Sequence, residues 1–482
     1  MRRTQKFAKL VLIIWALSSF SVVYAAQLQN LTLRSILDEA SAMAQPPIGV
    51  YRFDVMMDLA VVKAKLGNRQ EAVAIFHRGI KKILTLYPLE DRGSTKGSMS
   101  IAHLLYIAIR EKQAGLVEES RQLVLQALQA AREIVDPYTR YYTYEDIAVA
   151  QLKLGDREGA QRTLDVLFVN MLPLKGEKPF ESSYRKMKSV LRIAETYLEL
   201  QNIKQAREEV TNAFHMYEKL PTENIDKVFN ALFFWESLAV MAGRVGDSAA
   251  AQRTLGQIYE ILDVRAQVAK IETTLRVAQA LIEGKQQEAA AKVVEKGYEL
   301  ARAWKKGAPN SFEAENYSFV WRQLGLTKAL LGDVEGALEA DTHLPQDGTR
   351  IGKAYYQKVA YVAAEKFDEA FRIVKTEDQI DYYRLLVIVE GQAKQQRVEA
   401  AMEAFDLLKD HVSKVLNKFE VDFMKRRPPD YLQALRAVAV AQGRWGKVAQ
   451  AVAWARSQET SGEKAHALLG VAEGLLEKSH LH

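Results

Sequence analysis

The chain has 482 residues, of which 48% are apolar and 26% charged, and it contains no cysteine. This composition excludes a disordered or polytopic membrane protein, and the missing thiols exclude disulfides, thiolate metal sites and a cysteine nucleophile. The formal charge of +6 arises mainly at the start, because four basic residues and no acidic residue precede Ala25. Without those four, 62 of the 66 basic residues remain against 60 acidic ones, which argues against nucleic acid as a partner.

Residues 1–25 have the pattern of a signal peptide. Basic residues up to Lys9 are followed by the wholly apolar run Leu10–Leu17 and by a small-residue pattern that ends at Ala25. The apolar run is shorter than the roughly 20 residues that a membrane-spanning helix needs, so we expect cleavage before Ala26. With no cysteine for lipid attachment, we expect a periplasmic or secreted protein without stable membrane insertion.

The segment 26–50 is predicted to form an N-terminal helix and a linker. Apolar residues recur at helical spacing between Leu31 and Met43, and Pro46 and Pro47 follow as helix breakers.

From residue 51 to residue 460, one spacing recurs. A large apolar residue is followed three positions later by an aliphatic residue and directly after it by a small one. The turn residue comes seven positions after the small residue, and another small residue follows five positions later. The clear copies have the turn residues Gly67, Gly115, Gly155, Gln201, Gly246, Gly332 and Gly446. Three copies are weaker: one has its turn at Gly284, one ends at Ala370 and has no turn glycine, and one has its turn at Gln396. The seven clear and three weaker copies together predict ten helix pairs.

The spacing is that of two helices joined by a tight turn. Apolar residues at offsets 0, 3 and 4 share one face of the first helix, and the small residue allows a second helix to approach. Glycine at the turn accepts a left-handed conformation, and Asp156, Asp247 or Asp333 directly after it can initiate the second helix. Small and apolar residues at i, i+4 and i+7 form the inner face of the second helix.

This constellation resembles the tetratricopeptide repeat (TPR), and Trp235 and Trp321 stand where that family favours tryptophan. The resemblance extends from Tyr51 to Ser457, although successive turns lie 38 to 48 residues apart and the family's unit has 34. It implies an all-α, right-handed superhelical array of antiparallel helix pairs, a TPR-like alpha-solenoid. Residues 461–482 are predicted to form a C-terminal capping helix and tail.

An aromatic residue recurs six positions before the small residue of the first helix, and a charged residue often follows three positions later. The aromatic positions are Tyr142, Phe233, Phe319 and Tyr383, with Tyr356 in the irregular eighth unit. The charged positions are Glu145, Glu236, Arg322 and Arg436. The resemblance implies that this side of the first helix lines a groove for peptides or partner helices. A ring beside a charge suits peptide recognition, but the same rings could instead pack between neighbouring repeats.

The motifs of catalysis are missing from the sequence. It has no zinc-protease spacing of histidines, no phosphate-binding loop between a strand and a helix, and no nucleophile elbow. We therefore expect no catalytic residue, no metal and no cofactor.

The interpretation that follows is an exported, non-enzymatic scaffold that binds a protein or peptide in the cell envelope. Two alternatives remain open. One is an all-α toroidal enzyme of the glycoside hydrolase or polysaccharide lyase type, whose acidic residues would converge from distant positions. The other is a self-assembling structural protein.

Overall fold

The computed structural model describes residues 33–43, 50–88, 95–170, 179–218, 228–262, 267–304, 312–344, 351–377, 381–416 and 428–479. The predicted signal peptide lies outside these ranges. Within them all regular secondary structure is helical, which confirms the prediction of an all-α fold. None of the described helices is both long and apolar enough to cross a membrane.

The described residues form the following helices, numbered in chain order. They are α1 (33–43), α2 (Val50–Lys65), α3 (Arg69–Leu86), α4 (Thr95–Gln113), α5 (Val117–Arg132), α6 (Pro137–Leu154), α7 (Arg157–Asp165, continued by a π-helical turn Val166–Asn170), α8 (Pro179–Glu199), α9 (Ile203–Glu218), α10 (Val228–Arg244), α11 (Ser248–Ile261), α12 (Gln267–Glu283), α13 (Gln287–Ala303), α14 (Phe312–Leu330), α15 (Val334–Thr342), α16 (Lys353–Ala363), α17 (Phe367–Val374), α18 (Tyr382–Lys394), α19 (Val398–Leu416), α20 (Pro429–Trp445), α21 (Val448–Arg456) and α22 (Ser461–Ser479).

The turns between helices stand where the spacing predicts them. The six glycines of the clear copies all adopt positive φ angles: Gly67, Gly115, Gly155, Gly246, Gly332 and Gly446. Gln201 and Gln396 hold the same left-handed conformation without being glycine, and Glu365 does so in the unit that lacks a turn glycine. The ten predicted pairs therefore correspond to α2–α3 through α20–α21 within the described ranges.

The predicted turn at Gly284 is wrong by one residue. Lys285 is the left-handed residue, with φ 59, because it lies seven positions after the small residue Ala278. Gly284 serves a different purpose: a Cβ on it would lie 2.1 Å from the carbonyl oxygen of Gly243. The glycine pair thus lets the ends of α10 and α12 approach closely.

Aspartate side chains initiate the second helices as predicted. Asp156, Asp247 and Asp333 each precede a second helix, and each side chain accepts a hydrogen bond from the backbone N–H three residues later, at 2.9, 3.0 and 2.8 Å. This satisfies one of the amide groups that a helix N-terminus leaves without a partner.

The predicted inner faces of the helices form the core. On the first helices the small residues Ala60, Ala108, Ala148, Ala194 and Ala239 are fully buried. On the second helices the i, i+4, i+7 sets are buried as well, for example Ala160, Leu164 and Leu167, Ala206, Val210 and Ala213, and Ala401, Phe405 and Leu408.

Helices pack as a repeat. The two helices of a pair contact each other from α6–α7 to α16–α17 and again in α20–α21. First helices also contact the first helices of neighbouring pairs, along α6, α8, α10, α12, α14 and α16. Each unit therefore buries its apolar faces against its neighbours, as in a helical repeat protein.

By internal contacts, the chain divides into two compact units. Unit 1 holds the described residues up to Lys82, the turn Gln113–Leu116 and the described residues from Leu385 onward. Unit 2 holds Ile83–Lys112 and Val117–Arg384. The predicted array of residues 51–460 contributes to both units, and unit 1 brings N-terminal and C-terminal helices together.

Helix α22, predicted to be a cap on the last pair, has partners on two sides within unit 1. It contacts α20 and α21, and it also contacts α2. Glycines permit a close approach to α20, since a Cβ on Gly474 would lie 2.1 Å from the carbonyl oxygen of Val440. The helix therefore links the first helix of the last pair to the first helix of the first pair.

Helix α1 has the features of a second helix. Leu33, Leu37 and Ala40 are buried at the spacing i, i+4, i+7 that the other second helices show. At its C-terminal end, Glu39 forms a two-pronged ion pair with Arg456 at the end of α21, at 2.6 and 2.8 Å. Helix α1 thus adjoins the second helix of the last pair.

The contacts of α1 with α2 repeat those of α13 with α14. Lys63 of α2 bonds to Asp38 of α1 at 3.3 Å and to Glu71 of its own pair at 2.7 Å. The equivalent residue of α14, Lys328, pairs with Glu295 of the preceding helix α13 at 3.6 Å and with Asp333 of its own pair at 3.4 Å. Helix α1 therefore bonds to helices from both ends of the chain within unit 1, to α2 through Asp38 and to α21 through Glu39.

Candidate partner-binding surface

The first helices α6, α8 and α10 of unit 2 form a surface on which the predicted residues can be located. Helix α6 has a well-defined N-terminus. The Asp136 side chain caps it by accepting a hydrogen bond from the Thr139 N–H at 2.7 Å, and Pro137 is the first residue of the helix. It ends at Gly155 with φ 80. These two ends fix the register in which α6 presents its tyrosines.

A cavity of about 540 Å³ lies along these three helices. Its lining is aromatic on α6, basic on α8 and partly apolar on α10. The residues that matter below are Tyr141, Tyr142, Glu145, Arg185, Lys188, Arg192, Glu195, Val240, Met241 and Arg244.

Tyr141 is the buried support of this surface. Its hydroxyl donates to the Arg185 carbonyl oxygen at 3.1 Å and forms a hydrogen bond with the Ser189 hydroxyl at 2.6 Å. Burial raises the pKa of the phenol, so the proton needed for these bonds stays in place. The ring of Tyr142 meets Tyr141 edge-on with a centroid distance of 5.4 Å, and this contact orients the exposed ring.

The predicted aromatic residues divide into exposed and buried ones. Tyr142, Phe319 and Tyr383 are 45%, 45% and 71% exposed on α6, α14 and α18. Tyr356 is fully buried, and its hydroxyl lies 3.3 Å from an Asp341 carboxylate oxygen. The side chain of Phe233 lies outside the described residues. Three of the five rings are thus available to a partner, and Tyr356 packs within the repeat.

The predicted acidic residues form ion pairs between neighbouring first helices. Glu145 of α6 is buried and lies 2.6 Å from Arg192 of α8, which also bonds to Asp146 at 2.5 Å. Glu236 of α10 pairs with Arg276 of α12. These carboxylates hold helices in register and are not left for orienting a ligand.

The predicted arginines are also engaged in the fold. Arg436 pairs within unit 1 with the buried Asp58 of α2 and, at 3.1 Å, with Glu473 of α22. Arg322 of α14 is half-buried, and its positive charge acts on the hydroxyl of Tyr356.

Sequence reasoning missed a row of basic residues on α8. Arg185, Lys188 and Arg192 share one face at the spacing i, i+3, i+7. The row lies within α8, from its seventh to its fourteenth residue. The spacing itself was the signal that could have revealed it.

A larger cavity of about 730 Å³ lies between the second helices α5 and α7. Two of its arginines are paired on their own helices, Arg121 with Glu118 at 3.2 Å and Arg162 with Glu158 at 3.7 Å. None of the four predicted aromatic residues whose side chains are described lines it.

The described residues contain no group of three or more histidine, aspartate or glutamate side chains that could hold a metal ion.

Comparison with known protein families and with curated proteins finds no match. Among solved structures the chain is similar to a circular tandem repeat protein with novel repeat topology and enhanced subunit contact surfaces. The two share 14% sequence identity over 94% of this chain and 99% of that chain, with a TM-score of 0.18.

Proposed function

We propose that the protein is an exported, non-enzymatic TPR-like scaffold that binds a protein or peptide partner in the cell envelope. In this proposal the helix pairs are antiparallel and wind into a right-handed superhelix, and the partner lies along the first helices. The signal-peptide pattern of residues 1–25 supports export.

The observation that carries the proposal is the exposure of aromatic rings on first helices that are otherwise well packed. Tyr142, Phe319 and Tyr383 stand at the same register position of three pairs and remain 45% to 71% exposed. Tyrosine and phenylalanine offer large, rigid contact areas at low entropic cost, which is why aromatic residues are enriched in protein interfaces. Repetition of an exposed ring at one register position suits an extended partner.

Site-specific cross-linking in the native host tests this proposal. A photoreactive amino acid would replace Tyr142 or Phe319, and Ile203 would serve as the control because it is 54% exposed on the second helix α9. We expect one protein or peptide to be captured from both aromatic positions and not from Ile203. Equal capture from Ile203, or no captured polypeptide at either aromatic position, would contradict the proposal.

A further inference from the structure

We infer that the chain binds a second copy of itself: the contact that joins its N-terminal helices α1 and α2 to its C-terminal helices α20, α21 and α22 also forms between two copies. We call this contact the terminal junction. Both of its sides belong to unit 1. The inference goes beyond the proposed function and is independent of it.

Each side of the terminal junction is bonded within itself. On the C-terminal side, α20 and α22 meet backbone to backbone, since a Cβ on Gly443 would collide with the carbonyl oxygen of Val471. On the N-terminal side, Lys63 of α2 bonds to Asp38 of α1 at 3.3 Å. The terminal junction therefore joins two distinct surfaces, one from each end of the chain.

The charges of the two surfaces are complementary. In the ion pairs Asp58–Arg436 and Glu39–Arg456, the second of which measures 2.6 Å, the acid lies on the N-terminal side and the base on the C-terminal side. Two N-terminal sides would bring acid against acid, whereas an N-terminal and a C-terminal side attract each other. A contact between two copies is therefore head-to-tail.

Helix α22 provides the apolar part of the terminal junction. Residues Ala465 through Ala472 are buried without interruption over about two helical turns, so every face of this stretch is covered. Helices α20 and α21 pack against α22 from the C-terminal side, and α2 packs against it from the N-terminal side. A helix that is apolar all round has to be buried. When the ends of one chain separate, α2 of a second copy can cover α22 in the same way.

Closure within one chain joins positions that are far apart in the sequence. Arg436 lies 378 positions from Asp58, and Arg456 lies 417 positions from Glu39. During folding a second copy competes for the same contact, because closing so long a loop costs entropy. A dimer with exchanged ends contains two terminal junctions, as two monomers do, so no contact is lost and the entropy of association alone opposes it.

Reversing the charges of the terminal junction tests the inference. One variant of the mature chain carries Glu39→Arg and Asp58→Arg, and the other carries Arg436→Glu and Arg456→Glu. Within either variant, like charges meet and oppose closure. When the two variants are unfolded and refolded together, unlike charges meet at both junctions of a mixed dimer. We expect a dimer fraction about tenfold above that of either variant alone, measured by light scattering after size-exclusion chromatography.

A matched pair of variants separates the terminal junction from charge effects elsewhere. Arg302→Glu and Glu339→Arg reverse an ion pair of 2.6 Å between α13 and α15 within unit 2, and mixing them should leave monomers. Because Asp58 is only 5% exposed, the double variants can fail to fold. The single changes Glu39→Arg and Arg456→Glu then replace them, since these two side chains are 24% and 56% exposed.

Unaltered chains that carry two different affinity tags should co-purify after joint refolding, in a fraction that rises with chain concentration. The inference is wrong if the folded reversal variants stay monomeric when mixed, or if either variant alone dimerises as much as the mixture. It is also wrong if the control pair dimerises to the same extent, or if the unaltered chains do not co-purify at any concentration.

Discussion

Single residues that depart from the repeat pattern show how the turns are maintained. Gln201, Lys285, Glu365 and Gln396 adopt left-handed conformations with φ between 56 and 61. A side chain in this conformation costs about 1–2 kcal/mol. Because the turns nevertheless match those at the glycines, packing of the two helices imposes the turn geometry.

Exchanging side chains at two turns should change stability in opposite directions. Gln201→Gly relieves the strain of the left-handed conformation and should raise the free energy of unfolding by about 0.5–1 kcal/mol. The gain is smaller than the strain itself because glycine also gives the unfolded chain more conformational entropy. Gly332→Gln introduces the strain at a site where a Cβ meets no atom within 4 Å, so it should destabilise similarly. Chemical denaturation of both variants measures this, and shifts of the same sign would show that strain is not the cause.

A buried acid makes the stability of unit 2 depend on pH. Glu111 of α4 is 2% exposed, and burial, followed by repulsion from Glu119, raises its pKa from 4.5 to about 8. The folded chain therefore keeps a proton that the unfolded chain releases between these values. By linkage, stability should fall as pH rises from 4.5 through 8 and level off above that range.

Glu111→Gln should remove this part of the pH dependence and make the variant more stable than the parent at pH 9 or so, because the amide stays neutral when buried. Thermal unfolding between acidic and alkaline pH measures the effect. Glu158→Gln is the control, since that side chain is 91% exposed. If the melting temperatures of the parent and of the Glu111 variant changed with pH in the same way, Glu111 would not be the cause of the pH dependence.

At the scale of elements, local spacing was enough to predict the helix pairs but not their distant partners. The offset of seven residues from small residue to turn located the turns, and counting it from Ala278 corrects Gly284 to Lys285. Nothing in the local pattern of α1 or α22 indicated that each would continue the packing of the other end of the chain. Such pairing is a long-range contact, and amphipathic periodicity specifies a buried face without specifying what covers it.

The candidate surface was predictable to a similar extent. The register position selected Tyr142, Phe319 and Tyr383 as candidates but left open whether their rings are exposed or pack between repeats; in the structure all three are exposed. It could not show that Glu145 and Glu236 are paired with arginines 40 or more residues away. The basic residues Arg185, Lys188 and Arg192 of α8 share one helix face, and their spacing was not recognised in the sequence.

Close helix contact in unit 1 predicts a sharp difference between two glycines of α22. Gly474→Ala places a Cβ against the backbone of α20 and should destabilise by about 1–3 kcal/mol, since backbone cannot move aside as a side chain can. Gly462→Ala meets nothing closer than 3.8 Å and should be neutral or slightly stabilising, because alanine favours a helix. Melting of the two variants compares them directly, and equal melting temperatures would argue against the α20–α22 contact.

At the scale of the whole molecule, processing of the N-terminus is the most direct test of export. We expect protein isolated from its own host to begin at Ala26 and to carry no lipid, because the apolar run is short and no cysteine is available. Intact mass measures both properties. Recovery of Met1–Ala25 in membrane-bound material would contradict the exported, soluble assignment.

The ion pair between Glu39 and Arg456 joins the first described helix to the second helix of the last pair. Glu39 and Arg456, which join α1 to α21, are 417 positions apart. A nascent chain therefore lacks the partner of Glu39 until α21 has been made, and an unfolded-chain chaperone would find α1 incompletely packed during that interval. For the same reason, a chain that terminates before α21 would leave α1 without this partner. Proteases would then attack residues 33–43 first.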